Sequence, residues 1–310
     1  MDALDARILR QLGVEPFAGM ARRPQGLRAT DVARSLGRNV RLVQDRIMRM
    51  EDDGVITGYS MVPNPRHLGV GLTTLYVPTT GAADASVLEG LSDLDGFVQA
   101  IAYLGEGVCL SMSHGSADEL ARRLGSARRL AGDAGAPKPM YAHDLPRVER
   151  TLSALDWRII AALAPDARRT LQDVAEEVGV TVKTLRGRLK HLRDEGSVDE
   201  VAKLDFTRMH GIMPFEVAVW CDDPVAVTPR ILERLHENYW GHFRGPPGGY
   251  SDLLLRVFTT TPAEAHRLVK AAADVPGVRD ARALIAAGAH DNPVWLIEAI
   301  EAQLAAASSA

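Results

Sequence analysis

One pattern of residues occurs twice along this chain. Asp31-Val32-Ala33 reappears as Asp173-Val174-Ala175, and Gly54 reappears as Gly196. The offset between the copies is 142 positions at each of these sites, and it stays constant for about forty residues without a gap. Chance similarity does not keep register over such a length. A fixed period of this kind indicates that one structural unit is present twice.

Three short helices are predicted in the first part of each copy. The second helix ends at Gly37 or Gly179, and the third begins at Asn39 or Thr181, which are good N-cap residues. Two short helices that join at a glycine and pack on a first helix form a helix-turn-helix. Apolar residues at helical spacing predict the buried face of the third helix, which is Val40, Val43, Ile47 and Met50 in the first copy and Val182, Leu185, Leu189 and Leu192 in the second.

The copies differ in the loop that follows the first helix. In the first copy, an insertion that contains Pro, Gly and Arg lies between Gly13 and Arg28, which predicts a longer loop there. Beyond the third helix the copies agree again, because residues 55–61 and 198–204 each predict a wing strand. Each copy therefore begins with a winged helix-turn-helix.

The second part of each copy alternates between strands and helices in the order βαββαβ. This order predicts the ferredoxin-like arrangement, a four-stranded sheet with two helices on one face. The fold class is therefore α+β, with two winged helix-turn-helix units and two βαββαβ units in tandem. The predicted elements are 72–77, 86–94, 97–103, 108–113, 117–130 and a weak strand near Met140 in the first copy, and 215–221, 228–238, 239–244, 253–259, 262–273 and 278–285 in the second.

The chain is 310 residues long, which is enough for several domains. Pro137, Pro139 and Pro146 mark the joint between the copies, and a last helix is predicted from Pro293 to Ala306. We therefore expect a helix-turn-helix at 1–62, a first sensing-type α/β domain at 63–146, a second helix-turn-helix at 147–205, a second α/β domain at 206–290 and a C-terminal helix at 291–310.

The composition describes an ordinary globular protein and indicates no partner by itself. Apolar residues make up 46% and charged residues 25% of the chain, and the net charge is −4. Cys109 and Cys221 lie in apolar runs without the spacing of metal ligands, so a reducing cytoplasm is the expected compartment. Because no basic segment followed by an apolar run occurs at the start of the sequence, no signal peptide is expected, and no apolar stretch is long enough to span a membrane.

No sequence motif indicates a catalytic or cofactor site. A nucleophile elbow, a phosphate-binding loop and a dinucleotide-binding motif are all missing, so no cofactor is expected. Among nine histidines only His236 and His242 lie close together, and no cysteine or carboxylate joins them at ligand spacing. A metal site is therefore not predicted either.

Basic residues are concentrated on the solvent side of the two third helices. Four arginines face a single acid, Asp45, between Arg38 and Met50, and five cations face none between Thr181 and Arg193. Such helices can neutralise phosphates and place side chains in the major groove of DNA, although a charged helix face can also be merely solvated. The candidate DNA-binding residues are Asn39, Arg41, Gln44 and Arg49, and Thr181, Lys183, Thr184, Arg186 and Lys190.

Two features of these helices limit the DNA hypothesis. Arg46 and Arg188 lie beside the buried face, so an internal ion pair is as plausible for each as a phosphate contact. Asp45 would repel phosphate, and Gly187 in the middle of its helix costs about 1 kcal/mol relative to alanine. Equal DNA binding by the two copies therefore does not follow.

The residues from Val43 to Ile56 and the segment Pro65-Arg66-His67-Leu68-Gly69 resemble the helix-turn-helix and hinge of the Lrp/AsnC (feast/famine) family of transcriptional regulators. Residues 249–254 resemble the glycine–aspartate turn of the sensing (RAM) domain of that family. The resemblance covers nearly the whole chain, twice. It implies a regulator that binds double-stranded DNA and responds to a small, amino-acid-like effector.

The resemblance also implies how the copies are arranged. Ordinary family members have one copy per chain and pair through the sheets of their sensing domains. A fused chain is therefore expected to fold as its own pseudo-dimer, with further homo-oligomers still open. Because its two recognition helices differ in sequence, we expect a non-palindromic DNA site.

Gly249 and Asp252 are the candidate effector-binding residues, since a backbone N–H and a carboxylate can hold an amino acid. Gly105 and Gly107 stand at the corresponding turn of the first copy, without the aspartate. The alternative is a tight hairpin turn in which Asp252 bonds to nearby backbone.

Two other functions remain open on the sequence. The architecture is similar to that of siroheme decarboxylases, which need histidines and arginines around a tetrapyrrole; His67 and His210 follow arginines near the hinges. A metabolite-sensing scaffold that has lost DNA binding is the third possibility.

Overall fold

The computed structural model describes residues 1–13, 28–81, 83, 85–105, 107–131, 134–142, 147–148, 150–235, 238–292 and 294–309. The predicted insertion at 14–27 lies outside the described residues, as do Glu106, Pro146, His236 and Pro293. The described part contains two three-helix units and two larger antiparallel sheets. None of its helices is long and apolar enough to cross a membrane.

The first three-helix unit consists of α1 (Ala3–Leu12), α2 (Ala29–Leu36) and α3 (Val40–Asp52). Gly37 ends α2 at φ 61°, and the side-chain oxygen of Asn39 accepts the N–H groups of Arg41 and Leu42, as the cap predictions require. Val43, Ile47 and Met50 are buried as predicted. The prediction that Val40 is buried is wrong, because residues 37–42 all lie at the solvent end of the unit and Val40 is 41% exposed.

The first sheet follows a short wing strand and a 3-10 turn at Pro65–Leu68. The elements are β1 (Ile56–Pro63), β2 (Gly71–Val77), α4 (Ala85–Ser92), β3 (Phe97–Tyr103), β4 (Gly107–His114), α5 (Ala117–Ala131) and β5 (Lys138–Ala142), close to the predicted ones. The four strands of the βαββαβ unit are ordered β5-β2-β4-β3, all antiparallel.

The second three-helix unit contains α6 (Ala154–Leu163), α7 (Leu171–Val178) and α8 (Val182–Asp194), and strand β6 (Val198–Leu204) follows it. Ser153 and Asp156 form a capping box at the start of α6. Thr181 caps α8 by accepting the N–H of Thr184. The side chains of Leu185, Leu189 and Leu192 are buried as predicted, whereas Val182 is half-buried.

The elements of the second sheet are β7 (Met213–Cys221), α9 (Pro224–Leu235), β8 (Tyr239–Arg244), β9 (Leu253–Thr259), α10 (Pro262–Ala273) and β10 (Val278–Leu284). The strand order is β10-β7-β9-β8, again antiparallel. Helix α9 begins at Pro224, four residues before the predicted start at Thr228, and Pro229 lies inside it. Because an interior proline normally disfavours a helix, the sequence pattern did not indicate this earlier start.

The C-terminal segment contains a strand that the sequence did not predict. Strand β11 (Ala286–Asp291) pairs antiparallel with β3, so the first sheet has five strands. Alanine, glycine and aspartate have low strand propensity, and the pairing with the edge of β3 imposes the extended conformation. Most of this strand was expected at the end of the second α/β domain. Helix α11 (Trp295–Ser309) follows and packs on α6.

The wing strands β1 and β6 pair with each other in a two-stranded antiparallel sheet. The three-helix units pack in a crossed manner around this sheet. The apolar core of the first unit includes Met209, Trp240 and Phe258 from the second half of the chain. The core of the second unit includes Met61 and Leu68 from the first half. The segment after the second helical unit therefore completes the core of the first unit, and the segment after the first unit completes the core of the second.

The two large sheets pack face to face. Tyr141 of the first sheet stacks on Phe243 of the second with ring centroids 4.2 Å apart. Cys109 is buried in the same interface. The other buried residues of this interface are Tyr103 and Met140 from the first sheet and Ala218, Leu254 and Leu284 from the second.

Candidate nucleic-acid interface

The candidate DNA-binding residues of the first copy lie on the outer face of α3 and at its N-cap. Those of the second copy lie on the outer face of α8 and at its N-cap. The side chains of all nine candidates are exposed. The caps use two of them, since the side-chain oxygens of Asn39 and Thr181 accept hydrogen bonds from the first turn of their own helix. The remaining candidates are Arg41, Gln44 and Arg49 on α3, and Lys183, Thr184, Arg186 and Lys190 on α8.

In the first unit, two arginines of α3 bind carboxylates at the start of α1. Arg46 Nη1 donates to Asp2 Oδ2 at 2.5 Å and to Asp5 Oδ1 at 3.0 Å. Arg49 Nη2 donates to Asp5 Oδ2 at 3.0 Å, and the Asp5 carboxylate is fully buried. Hydrogen bonds to Asp2, and then to Asp5, raise the pKa of Arg46. The candidate Arg49 therefore has an internal partner.

In the second unit, a residue outside the helices neutralises the corresponding buried carboxylate. Arg150 Nη1 donates to Asp156 Oδ2 at 3.0 Å, and Arg150 Nε donates to Glu195 at 2.7 Å. Arg188 of α8 approaches Asp156 Oδ1 only to 3.5 Å. Burial opposes ionisation of Asp156, but hydrogen bonds from Ser153 and Arg150 lower its pKa overall.

Some cations of α8 are available to solvent, whereas Arg193 pairs with Glu200 of β6. Within the described part of the chain, Lys183 and Arg186 form no salt bridge, while Lys190 pairs with Asp194 one turn further along an exposed face. Exposed pairs of this kind contribute about 0–1 kcal/mol, so a phosphate can replace the carboxylate at little cost. A Cβ at Gly187 would meet no atom within 4 Å, which leaves the middle of the helix open to a close approach.

A contact between the units, which sequence reasoning missed, fixes the end of α3. Arg168, in the loop after α6, donates to Glu51 at 2.6 Å and lies over the ring of Tyr59 at 3.5 Å. The Tyr59 hydroxyl also donates to Glu51 at 2.6 Å, and burial raises the pKa of that hydroxyl. No local signal could have predicted the contact, because Glu51 and Arg168 are far apart in sequence.

The candidate effector residues belong to two separate turns. The Asp252 carboxylate accepts the backbone N–H of Cys221 at 2.9 Å and the Arg279 guanidinium at 3.0 Å. A Cβ at Gly249 would lie 2.7 Å from the carbonyl oxygen of Pro139, on the last strand of the first sheet. Both bonds end on Oδ2 of Asp252 and connect the turn to β7 and β10.

The corresponding turn of the first copy has its own backbone constraints. Gly105 and Gly107 adopt φ values of 72° and 96°. A Cβ at Gly107 would lie 2.5 Å from the carbonyl oxygen of Val77, so this position requires glycine.

The histidines near the hinges and the second sheet are partly buried. His67 Nε2 is buried and has no hydrogen-bond partner among the described residues, and burial, followed by the charge of Arg150, lowers the pKa of His67. His242 Nδ1 lies 2.6 Å from the Tyr239 hydroxyl, and burial lowers its pKa too. Within the described residues, no group of three or more His, Cys, Asp or Glu side chains could hold a metal ion.

Comparison with known proteins identifies the second unit directly. Residues 152–193 match the AsnC-type helix-turn-helix domain. The HTH-type transcriptional regulator Ptr1 of Methanocaldococcus jannaschii is 30% identical over 117 residues, which make up 36% of this chain and 72% of that protein. The chain belongs to the Lrp/AsnC family. This Lrp/AsnC protein thus contains the kind of helix-turn-helix domain found in DNA-binding transcriptional regulators.

Solved structures are similar in fold to this Lrp/AsnC protein. The siroheme decarboxylase NirDL aligns over 96% of this chain and 98% of its own, with a TM-score of 0.54 and 13% identity. The leucine response regulatory protein LrpA of Mycobacterium tuberculosis aligns over 46% of this chain and 97% of its own, with a TM-score of 0.39 and 21% identity. At these identities the similarity concerns the fold alone.

Proposed function

We propose that this chain is a sequence-specific, DNA-binding transcriptional regulator. The observation that supports this function best is the exposed basic face of α8, which lies in the segment that matches the AsnC-type domain. Lys183 and Arg186 stand near the start of the helix, where recognition helices contact base edges and flanking phosphates. Lys183 and Arg186 form no salt bridge with any described residue, so both remain available to phosphates.

We also propose that the chain is a tandem duplication that acts as a pseudo-dimer of ordinary family members. The segment shared with Ptr1 makes up 36% of this chain and 72% of that protein, so this chain is twice as long. The pairing of β1 with β6, the crossed packing of the helical units and the contact between the sheets all agree with this arrangement. Domains at 1–62, 63–146, 147–205 and 206–290 fit it, except that β11 joins the first sheet.

Replacing Arg186 and Lys190 with alanine tests the DNA-binding function. We expect weaker binding to DNA and a shallower dependence on salt, because each phosphate contact releases counterions and contributes about one unit to the slope of log K against log salt. The measurement is fluorescence anisotropy with duplexes selected from a random library, at several salt concentrations.

Arg230→Ala with Lys270→Ala provides the matched control for this experiment. Both residues are exposed on helices of the second sheet, and their loss removes the same total charge. If the control variant weakens binding as much as the α8 variant, general charge and not α8 determines the affinity. A wild-type protein that retains no DNA would contradict the proposed function.

We further propose that an amino-acid-like effector binds at the turn that contains Gly249 and Asp252. The partly exposed Asp252 carboxylate, paired with Arg279, supports this site, since the carboxylate can attract the ammonium group of an effector. The turn also contacts the first sheet, because Tyr250 N donates to the Pro139 carbonyl at 2.8 Å. An effector bound at this turn would therefore lie next to the contact between the two large sheets.

Asp252→Asn is expected to abolish amino-acid binding with little loss of stability. The amide oxygen can still accept the N–H of Cys221, while the negative charge that would attract an ammonium group is gone. Calorimetric titration of wild type and variant with each common amino acid measures the effect. Asp280→Asn, which removes another exposed carboxylate paired with an arginine, is the control. Equal binding by wild type and Asp252→Asn would exclude this site.

Siroheme decarboxylation is the second candidate function. The observation in its favour is the alignment of nearly the whole chain with NirDL, which shares the fold at 13% identity. Nε2 of His67 is buried and has no hydrogen-bond partner among the described residues, so this histidine is the candidate for contact with a tetrapyrrole. An absorbance scan after incubation with siroheme distinguishes the two functions, because a decarboxylase shifts the absorption band of the tetrapyrrole and a DNA-binding regulator does not.

A further inference from the structure

The solvent faces of α3 and α8 differ in charge at several corresponding positions. With the constant offset, Leu42, Gln44, Asp45 and Met48 of α3 correspond to Thr184, Arg186, Gly187 and Lys190 of α8. The four positions thus have a net charge of −1 in the first unit and +2 in the second. Leu42 is 40% and Met48 is 51% exposed, so α3 presents apolar surface where α8 presents cations.

The ion pairs on the inner faces of the helices increase this difference. Both units bury a carboxylate at the start of their first helix, Asp5 or Asp156. In the first unit Arg46 and Arg49 of α3 neutralise it, and this use occupies two of the three arginines of that helix. In the second unit Arg150 supplies the counter-charge from outside the helices.

The consequence is visible in the exposure of one corresponding pair. Arg188 keeps 41% of its side chain exposed at 3.5 Å from Asp156, whereas Arg46 keeps 24% and makes short bonds to two aspartates. Removing Arg46 from Asp5 to reach a phosphate would leave a fully buried carboxylate with less compensation, which is costly. Arg188 can turn outward while Arg150 holds Asp156.

Building on the DNA-binding function proposed above, we propose that α8 alone provides the recognition surface for DNA and that α3 contributes little to affinity. One chain then recognises a single half-site in detail, and the first helical unit serves mainly as a structural partner of the second. The position of Gly187 agrees with this assignment, because an open helix backbone lets the phosphates approach where Asp45 would repel them in the first unit.

Exchanging residues between the corresponding positions tests the proposal. Arg186→Gln with Lys190→Met gives α8 the residues of α3, and we expect affinity for a fluorescent duplex of random sequence to fall about 10²-fold, at roughly tenfold per lost phosphate contact near 0.1 M salt. Arg38→Ala with Arg41→Ala removes the exposed cations at the start of the first recognition helix, and we expect a change of less than about twofold. Thermal unfolding of every variant checks that these exposed changes leave the fold intact.

The outcomes separate this proposal from the proposed function. If the Arg38 and Arg41 variant loses as much affinity as the α8 variant, both helices contact DNA and the asymmetry is wrong, while DNA binding stands. If wild type fails to bind the duplex at low salt, DNA binding itself is wrong.

Discussion

Glu216→Ala should be among the most destabilising single substitutions in the chain, at about 3–5 kcal/mol in the free energy of unfolding. Glu216 is buried between the two large sheets, where Arg256 Nε donates to it at 2.9 Å and the Tyr103 hydroxyl also donates to it. Arg256 Nη2 lies 3.3 Å from the Tyr141 hydroxyl. Removing the carboxylate leaves a largely buried guanidinium without its counter-charge, and chemical denaturation measures the cost.

The first sheet contains a neutral counterpart that serves as the control. Register places Thr74 and Ser111 where the second sheet has Glu216 and Arg256, and their hydroxyls are 3.0 Å apart. Thr74→Ala should cost only about 0.5–1.5 kcal/mol. Glu216→Thr with Arg256→Ser should be more stable than Glu216→Ala, because it removes both charges together. A cost below about 1 kcal/mol for Glu216→Ala, the value typical of an exposed ion pair, would contradict the predicted contribution of this buried pair.

Met61→Ala is expected to loosen the second helical unit, although Met61 belongs to the first half of the chain. Its side chain is fully buried and packs with the residues of α6, α7 and α8. Truncating a buried methionine costs about 2–5 kcal/mol. Relative to wild type, amide hydrogen exchange in the variant should therefore accelerate more in α6, α7 and α8 than in α1, α2 and α3.

Ile56→Ala on the same strand provides the matched control. Ile56 is also buried, but it packs with the first unit, so its truncation should increase exchange in α1, α2 and α3. If both substitutions loosen the same unit, the crossed packing around β1 and β6 is wrong.

The sequence predicted those elements that depend on local signals. The glycine ends and N-caps of the short helices are local, and so is the alternation of strands that gives two βαββαβ units. The long-range pairing could not be predicted in the same way. The sequences of β1 and β6 each predict a wing strand. Neither sequence contains a local signal that the two strands pair with each other. Strand β11 has no strand propensity of its own and forms only because the edge of β3 is available.

The sequence predicted which residues of the candidate site are exposed. It did not predict which of its arginines are held by internal ion pairs. Sequence left Arg46 and Arg188 open between an ion pair and a phosphate contact, since both lie beside the buried face. The difference between them depends on Arg150, which precedes its unit and reaches Asp156 only in the folded chain. Asp252 was correctly placed in a turn, but its bond to Arg279 requires β10, which begins 26 residues later.

The crossed cores mean that the two halves of the chain cannot be lost independently of each other. Deleting the first helical unit would expose Met209, Trp240 and Phe258 to water, and deleting the first wing would leave the second helical unit without Met61. Substitutions on the outer face of α3 are free of this constraint, since they touch no shared core. Selection can therefore change the surface contacts of one helical unit, while the shared cores require that both units stay folded.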